Sequence, residues 1–141
     1  MPRLQILTKT NWYAFNNLLN YIAADDHSIE RYIGAVNLTL IDDEYLVDRI
    51  DRQINDLMNL HGVYNRRLAF HVILTFNDIE REDLTAEKLY RLSYDFCISV
   101  FPYQMVYFAV HDEIDKNLHT HFMIIPLYIT SGLSWSTGKK G

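Results

Sequence analysis

Cysteine is nearly absent from this 141-residue chain. Cys97 is the single one, which excludes an internal disulfide and fits a reducing compartment. No apolar run approaches the ~20 residues a membrane helix needs, and the N-terminus lacks the charged-then-apolar layout of a signal peptide. We therefore expect a soluble, cytoplasmic protein with no membrane partner. Basic residues are scarce too: 13 Lys and Arg stand against 18 Asp and Glu, a net charge of −5. That balance argues against a nucleic-acid partner, because such binding rests on Lys and Arg neutralising phosphates. Internal repeats and low-complexity segments are also missing.

What remains is ordinary globular material, 49% hydrophobic and 22% charged, enough for one domain over residues 1–141 with a real core. Along the chain, RLQILT (3–8) predicts a first strand. Thr10 or Asn11 can cap a helix with Phe15, Leu18, Leu19 and Ile22 on its buried side. Val36, Leu38 and Leu40 alternate with polar residues, predicting a half-buried strand over 35–41. Asp42 or Asp43 caps a second helix whose stripe is Leu46, Val47, Ile50, Ile54, Leu57 and Met58, stopped by Gly62. LAFHVILTF (68–76) is the clearest strand. Thr85 caps a third helix with Leu89, Leu92, Phe96, Cys97 and Val100 expected inside, and Pro102 ends it. Strands over 104–111 and 118–129 finish the sheet, and 130–141 reads as an outgoing loop, so that a longer parent chain is conceivable. The order β-α-β-α-β-α-β-β, closed by a hairpin, gives an α+β fold. We expect an antiparallel-rich central sheet with helices packed mainly on one face, the economical arrangement.

The chemistry concentrates in Val106–Pro126, VYFAVHDEIDKNLHTHFMIIP. A strand places alternate side chains on one face, so His119 and His121 point the same way. Seven residues separate His111 from His119, enough for a hairpin loop, and pairing of the two runs sets His111 beside His119. Three imidazoles then converge where a divalent ion can bind at about 2.0–2.1 Å from each nitrogen with coordination positions left over. Imidazole suits Mn²⁺, Zn²⁺, Co²⁺ or Ni²⁺ better than Mg²⁺. Asp112, Glu113 and Asp115 in the loop are candidates to orient the rings, or plain solvated charges. His71, on the central strand, reads equally as a base, an orienting group or a packed strand residue.

Four stretches resemble a known family: LLNYIAADD (18–26), YIGAVN (32–37), RLAFHVILTF (67–76) and YQMVYFAVHDEIDKNLHTHFMII (103–125). Together they resemble the mobilisation relaxases of plasmids and integrative elements, the MobP-like branch of the HUH endonucleases, and SWSTGKKG (134–141) is similar to the turn after that family's last sheet strand. The resemblance implies an HUH/ferredoxin-like relaxase core that nicks and rejoins one DNA strand at an origin of transfer through a 5′-phosphotyrosine. It implies Tyr21 as nucleophile, with Tyr13 and Tyr32 as rivals, and His111, His119 and His121 as metal ligands. Mg²⁺ joins Mn²⁺ among the expected ions. Single-stranded DNA and accessory mobilisation proteins become the expected partners, with Lys9, Arg66, Arg67, Lys139 and Lys140 as candidate phosphate contacts. Two other functions fit the same residues: a His-coordinated metal hydrolase in which bound water attacks, and a relaxase-like binding module without catalysis.

Overall fold

A computed structural model of the chain describes residues 3–10 (backbone alone), 20, 22, 32–62, 69–75, 84–111 and 118–133. Strand β1 runs Arg3–Thr10 and β2 Ile33–Val36; helix α1 is Leu46–Leu60; β3 is Ala69–Thr75; helix α2 is Ala86–Val100; β4 is Gln104–His111 and β5 His119–Tyr128. Asn20 and Ile22 are also helical. The five strands form one sheet in the order β1-β3-β5-β4-β2, and every neighbouring pair is antiparallel. The α+β class and the antiparallel sheet match the expectation from sequence.

Alternation along the strands divides the core in two. Ala69, Tyr107, Ala109, Met123, Ile125 and Leu127 pack with Ile22 and with Leu46, Ile50, Ile54, Leu57 and Met58 of α1. Phe70, Val72, Leu74, Val106, Phe108, Val110, Phe122 and Ile124 face the other way, onto Leu89 and Cys97 of α2. The helical elements at Ile22 and α1 thus share one face, and α2 alone covers the second. Both faces carry large apolar side chains, so a helix on one side only would have left the other wet.

Local chemistry explains where the elements stop. The strand expected over 35–41 ends at Val36, because Asn37 turns to φ 60°. Its Nδ2 donates to the carbonyls of Pro102 and Gln104, at 3.0 and 2.8 Å. The alternation continues without a ladder. Leu38 and Leu40 still reach the core, while the Gln53 side chain bonds both Thr39 N–H and Thr39 C=O, at 2.8 and 2.9 Å. Asp43 is not the N-cap of α1. Tyr45 is, and Asp43 Oδ1 instead accepts from Tyr45 N–H at 2.9 Å and from the Arg49 guanidinium. Thr85 does cap α2, accepting from Lys88 N–H at 3.2 Å. Gly34 lies beneath the Phe108 ring, where a Cβ would come within 2.2 Å of a ring carbon.

The buried stripe of α2 differs from the expected one. Leu89, Ser93 and Cys97 are fully buried, whereas Leu92 and Val100 are 47% and 51% exposed. Spacing of four residues selects the row, and its middle member is a serine, which hydrophobic periodicity passes over. Thr10 is the last residue of β1; Asn11, Phe15, Leu18 and Leu19 lie outside the described residues. No described helix is long and apolar enough to cross a membrane.

Candidate metal centre

The closing hairpin delivers the three histidines as its pattern predicts. β4 and β5 pair with His111 opposite His119 and Ala109 opposite His121. Step-two alternation then sets His111, His119 and His121 on the α1 side, as a continuation of the row that holds Ala109 and Met123. Ring centroids are 4.5 Å apart for His111–His121, 4.8 Å for His119–His121 and 5.5 Å for His111–His119. One ligand nitrogen from each lies within 4.8 Å of the others. Two nitrogens bound to one ion are separated by at most about 4.2 Å, twice a bond of about 2.1 Å. Small ring rotations therefore suffice to close the set on a cation. His121 is buried, while His111 and His119 are half-exposed, so one side of the cluster stays open.

His71 joins this group through the sheet order. β3 lies beside β5, with Ile73 opposite His121 and His71 opposite Met123, so His71 and His121 are diagonal neighbours on one face. His71 Nε2 is 2.7 Å from His121 Nδ1, and the two rings stack with centroids 5.0 Å apart. Desolvation first, and the nearby His111 second, hold the His71 imidazole below its ordinary range and favour the neutral ring. A neutral His71 can accept at Nε2. A His121 that bears a metal on Nε2 must carry its proton on Nδ1, so that proton points at His71.

His111 has a second attachment that the sequence did not signal. Its Nε2 lies 3.2 Å from the backbone carbonyl of Ile22. A carbonyl only accepts, so Nε2 carries the hydrogen and Nδ1 of the neutral ring carries the lone pair a cation needs. Metal-bound histidines commonly fix their second nitrogen to a carbonyl in this way. Three half- or fully buried imidazoles, two of them with the second nitrogen engaged, are a donor set that fits a divalent ion. Among the described residues this is the group of three or more such ligands that the fold assembles.

Tyr32 can be placed too. Its ring lies 6.0 Å from that of Tyr90 on α2, in the cluster on the opposite face from the histidines. Tyr21 and Tyr13 lie outside the described residues, as do Asp112, Glu113, Asp115, Arg66, Arg67, Lys139 and Lys140; Lys9 is described by its backbone alone. A cleft of about 310 Å³ between Asn20 and α1 is lined by Glu44, Val47, Asp48 and Asp51, so the charges bordering it there are acidic.

No family model matches this chain, and no curated protein matches it either. Among solved structures, the chain is similar over its whole length to one from work on the molecular basis of vancomycin resistance transfer in Staphylococcus aureus, with a TM-score of 0.58, 14% identity and 78% of that chain covered. At that identity the likeness is one of fold.

Proposed function

We propose that the protein is a relaxase-type enzyme: a metal-dependent, single-strand DNA nicking and rejoining activity acting at an origin of transfer. The observation that carries this reading is the convergence of His111, His119 and His121 within 4.8 Å on a partly open face. Two further points support it. The Ile22 carbonyl sits on His111, and Tyr21 adjoins Ile22 in the chain. The fold is similar to one studied for resistance transfer.

In this mechanism His111, His119 and His121 would hold the ion, with Nδ1 of His111, Nε2 of His121 and one ring nitrogen of His119 as the donors. When bound, the ion supplies Lewis acidity to the scissile phosphate and charge to offset its equatorial oxygens. The Tyr21 phenol, with an ordinary pKa of about 10, loses its proton as its oxygen attacks phosphorus. The new O–P bond forms, the bond to the 3′ oxygen breaks, the phenolic proton passes through solvent to that departing oxygen, and the product is a 5′-phosphotyrosine with a free 3′-hydroxyl. Reversal rejoins the strand. His71 orients His121, and its Nε2 is committed to that bond rather than to the Tyr21 proton. Single-stranded DNA is the substrate, and accessory mobilisation proteins are the expected partners.

The acidic cleft at Asn20, Glu44, Asp48 and Asp51 favours a second reading, a relaxase-like module that binds a partner and does not cut. Calorimetry with Mn²⁺ tests the shared metal site. His119→Ala or His121→Ala should abolish measurable Mn²⁺ binding and leave the circular dichroism spectrum intact. Unchanged affinity in both variants would remove the metal centre.

A further inference from the structure

We infer that Ser93 is a positioning residue for the histidine cluster, holding His119 and His121 from the back of the sheet through Thr120. The inference rests on the metal-binding reading above. Thr120 lies between the two histidines in β5, so its side chain leaves the opposite face. There Thr120 Oγ1 meets Ser93 Oγ of α2 at 2.8 Å, and both residues are fully buried. They are the buried serine and threonine among the described residues. Thr120 is paired with Val110 on one side and Leu74 on the other, directly between the His111–His119 row and the Ile73–His121 row.

The surroundings give this pair its meaning. On this face the strands and α2 otherwise meet through Phe70, Val72, Leu74, Leu89, Cys97, Phe108 and their neighbours. Apolar burial is non-directional and does not by itself fix how a strand is turned beneath a helix. A hydrogen bond between two hydroxyls is directional, and breaking it strands two buried polar groups, so it stays made. One point of α2 is thereby tied to one point of β5. Because Thr120 shares a peptide unit with each histidine, any twist of β5 at Thr120 tilts both rings together. A functional site tolerates about 10–20° of such error. Stability alone does not call for hydroxyls here, since two apolar groups of the same shape serve as well or better.

That last point supplies a test in which the two roles part company. In Ser93→Ala/Thr120→Val the pair is replaced by apolar groups of similar shape. The metal-free melting temperature should hold or rise, while Mn²⁺ affinity falls about tenfold, the low end for losing a group that orients a metal-bound histidine. Thr120→Ser, which keeps the hydroxyl, should retain wild-type affinity. A double variant that binds Mn²⁺ as tightly as wild type overturns the inference, as does one whose affinity falls only in step with its stability. The metal-free protein provides an independent readout, the imidazole ¹⁵N–¹H correlations of His119 and His121. They should shift and broaden in the double variant and stay in place in Thr120→Ser; identical spectra in both overturn the inference. If wild type binds no Mn²⁺, the metal reading falls, and these ring signals still decide whether Ser93 orders the histidines. Should the double variant lose its fold, Ser93→Ala alone carries the same comparison.

Discussion

His71 shows how one residue ties the sheet's geometry to the chemistry of the site. Its ring is buried, faces His111 and bonds His121 at 2.7 Å, and burial holds its pKa below the ordinary 6.5. The unfolded chain therefore binds a proton that the folded one resists. Stability from this source is complete above about pH 6.5 and declines as pH falls below it, levelling once the pH passes the lowered folded value. In His71→Gln the acid-side slope of a metal-free melting-temperature profile should flatten. The same variant should lose about 10–100-fold in Mn²⁺ affinity, the usual cost of removing a partner that orients a ligating histidine. A variant with an unaltered acid limb would mean that His71 takes its proton freely in the folded state.

Among residues, the three candidate ligands were the legible part of the site. H-x-H on an alternating run needs no tertiary knowledge, and seven residues of loop sufficed to place His111 opposite His119. The role of His71 is open in the sequence because it depends on β3 lying next to β5, a strand order that local pattern does not contain. The Ile22 carbonyl on His111 was invisible for a stronger reason. A backbone acceptor belongs to every residue, so no side-chain pattern marks the one that is used.

At the scale of elements, hydrophobic spacing was reliable where a stripe was purely apolar and misleading where it was not. The α1 stripe, from Leu46 to Met58, is buried as its periodicity predicts. On α2 the inclusion of Leu92 and Val100 turned the expected face away from the true row of Leu89, Ser93 and Cys97. The two leucines should accordingly behave differently. Leu89→Ala should cost about 2–5 kcal/mol, as for a buried leucine in a closed core. Leu92→Ala should stay within about 0.5 kcal/mol. Urea denaturation midpoints measure both, and equal losses would contradict the observed facing of α2. β2 has its own constraint at Gly34, whose missing Cβ makes room for the Phe108 ring. Gly34→Ala should destabilise by about 1–3 kcal/mol through overpacking, and Phe108→Leu in the same chain should recover part of that loss. No recovery would place the strain elsewhere.

For the whole molecule, the sheet order β1-β3-β5-β4-β2 sets the histidine-bearing strands β3, β5 and β4 side by side at the centre. Helices on each face close the core around them. Three neighbouring strands supply His71, His121 with His119, and His111, so the cluster rests on the most constrained part of the fold. The sequence stated the α+β class through its order of elements, and the closing hairpin announced an antiparallel pair. It could not state which face each helix covers, since both faces of β3, β4 and β5 are apolar outside the histidine end. The net charge of −5 and the acidic cleft weigh against the proposed DNA substrate, while the histidine cluster weighs towards it. That balance is settled by whether a covalent bond to DNA forms. The decisive measurement is a denaturing gel of the protein incubated with Mn²⁺ and labelled single-stranded oligonucleotides that carry candidate origin sequences. A covalent protein–DNA band is expected for wild type, none for Tyr21→Phe, and none for His121→Ala. An adduct that persists in Tyr21→Phe would move the nucleophile to another tyrosine. Cleavage without any adduct would contradict the account in favour of water attack, and neither cleavage nor adduct would leave a binding module.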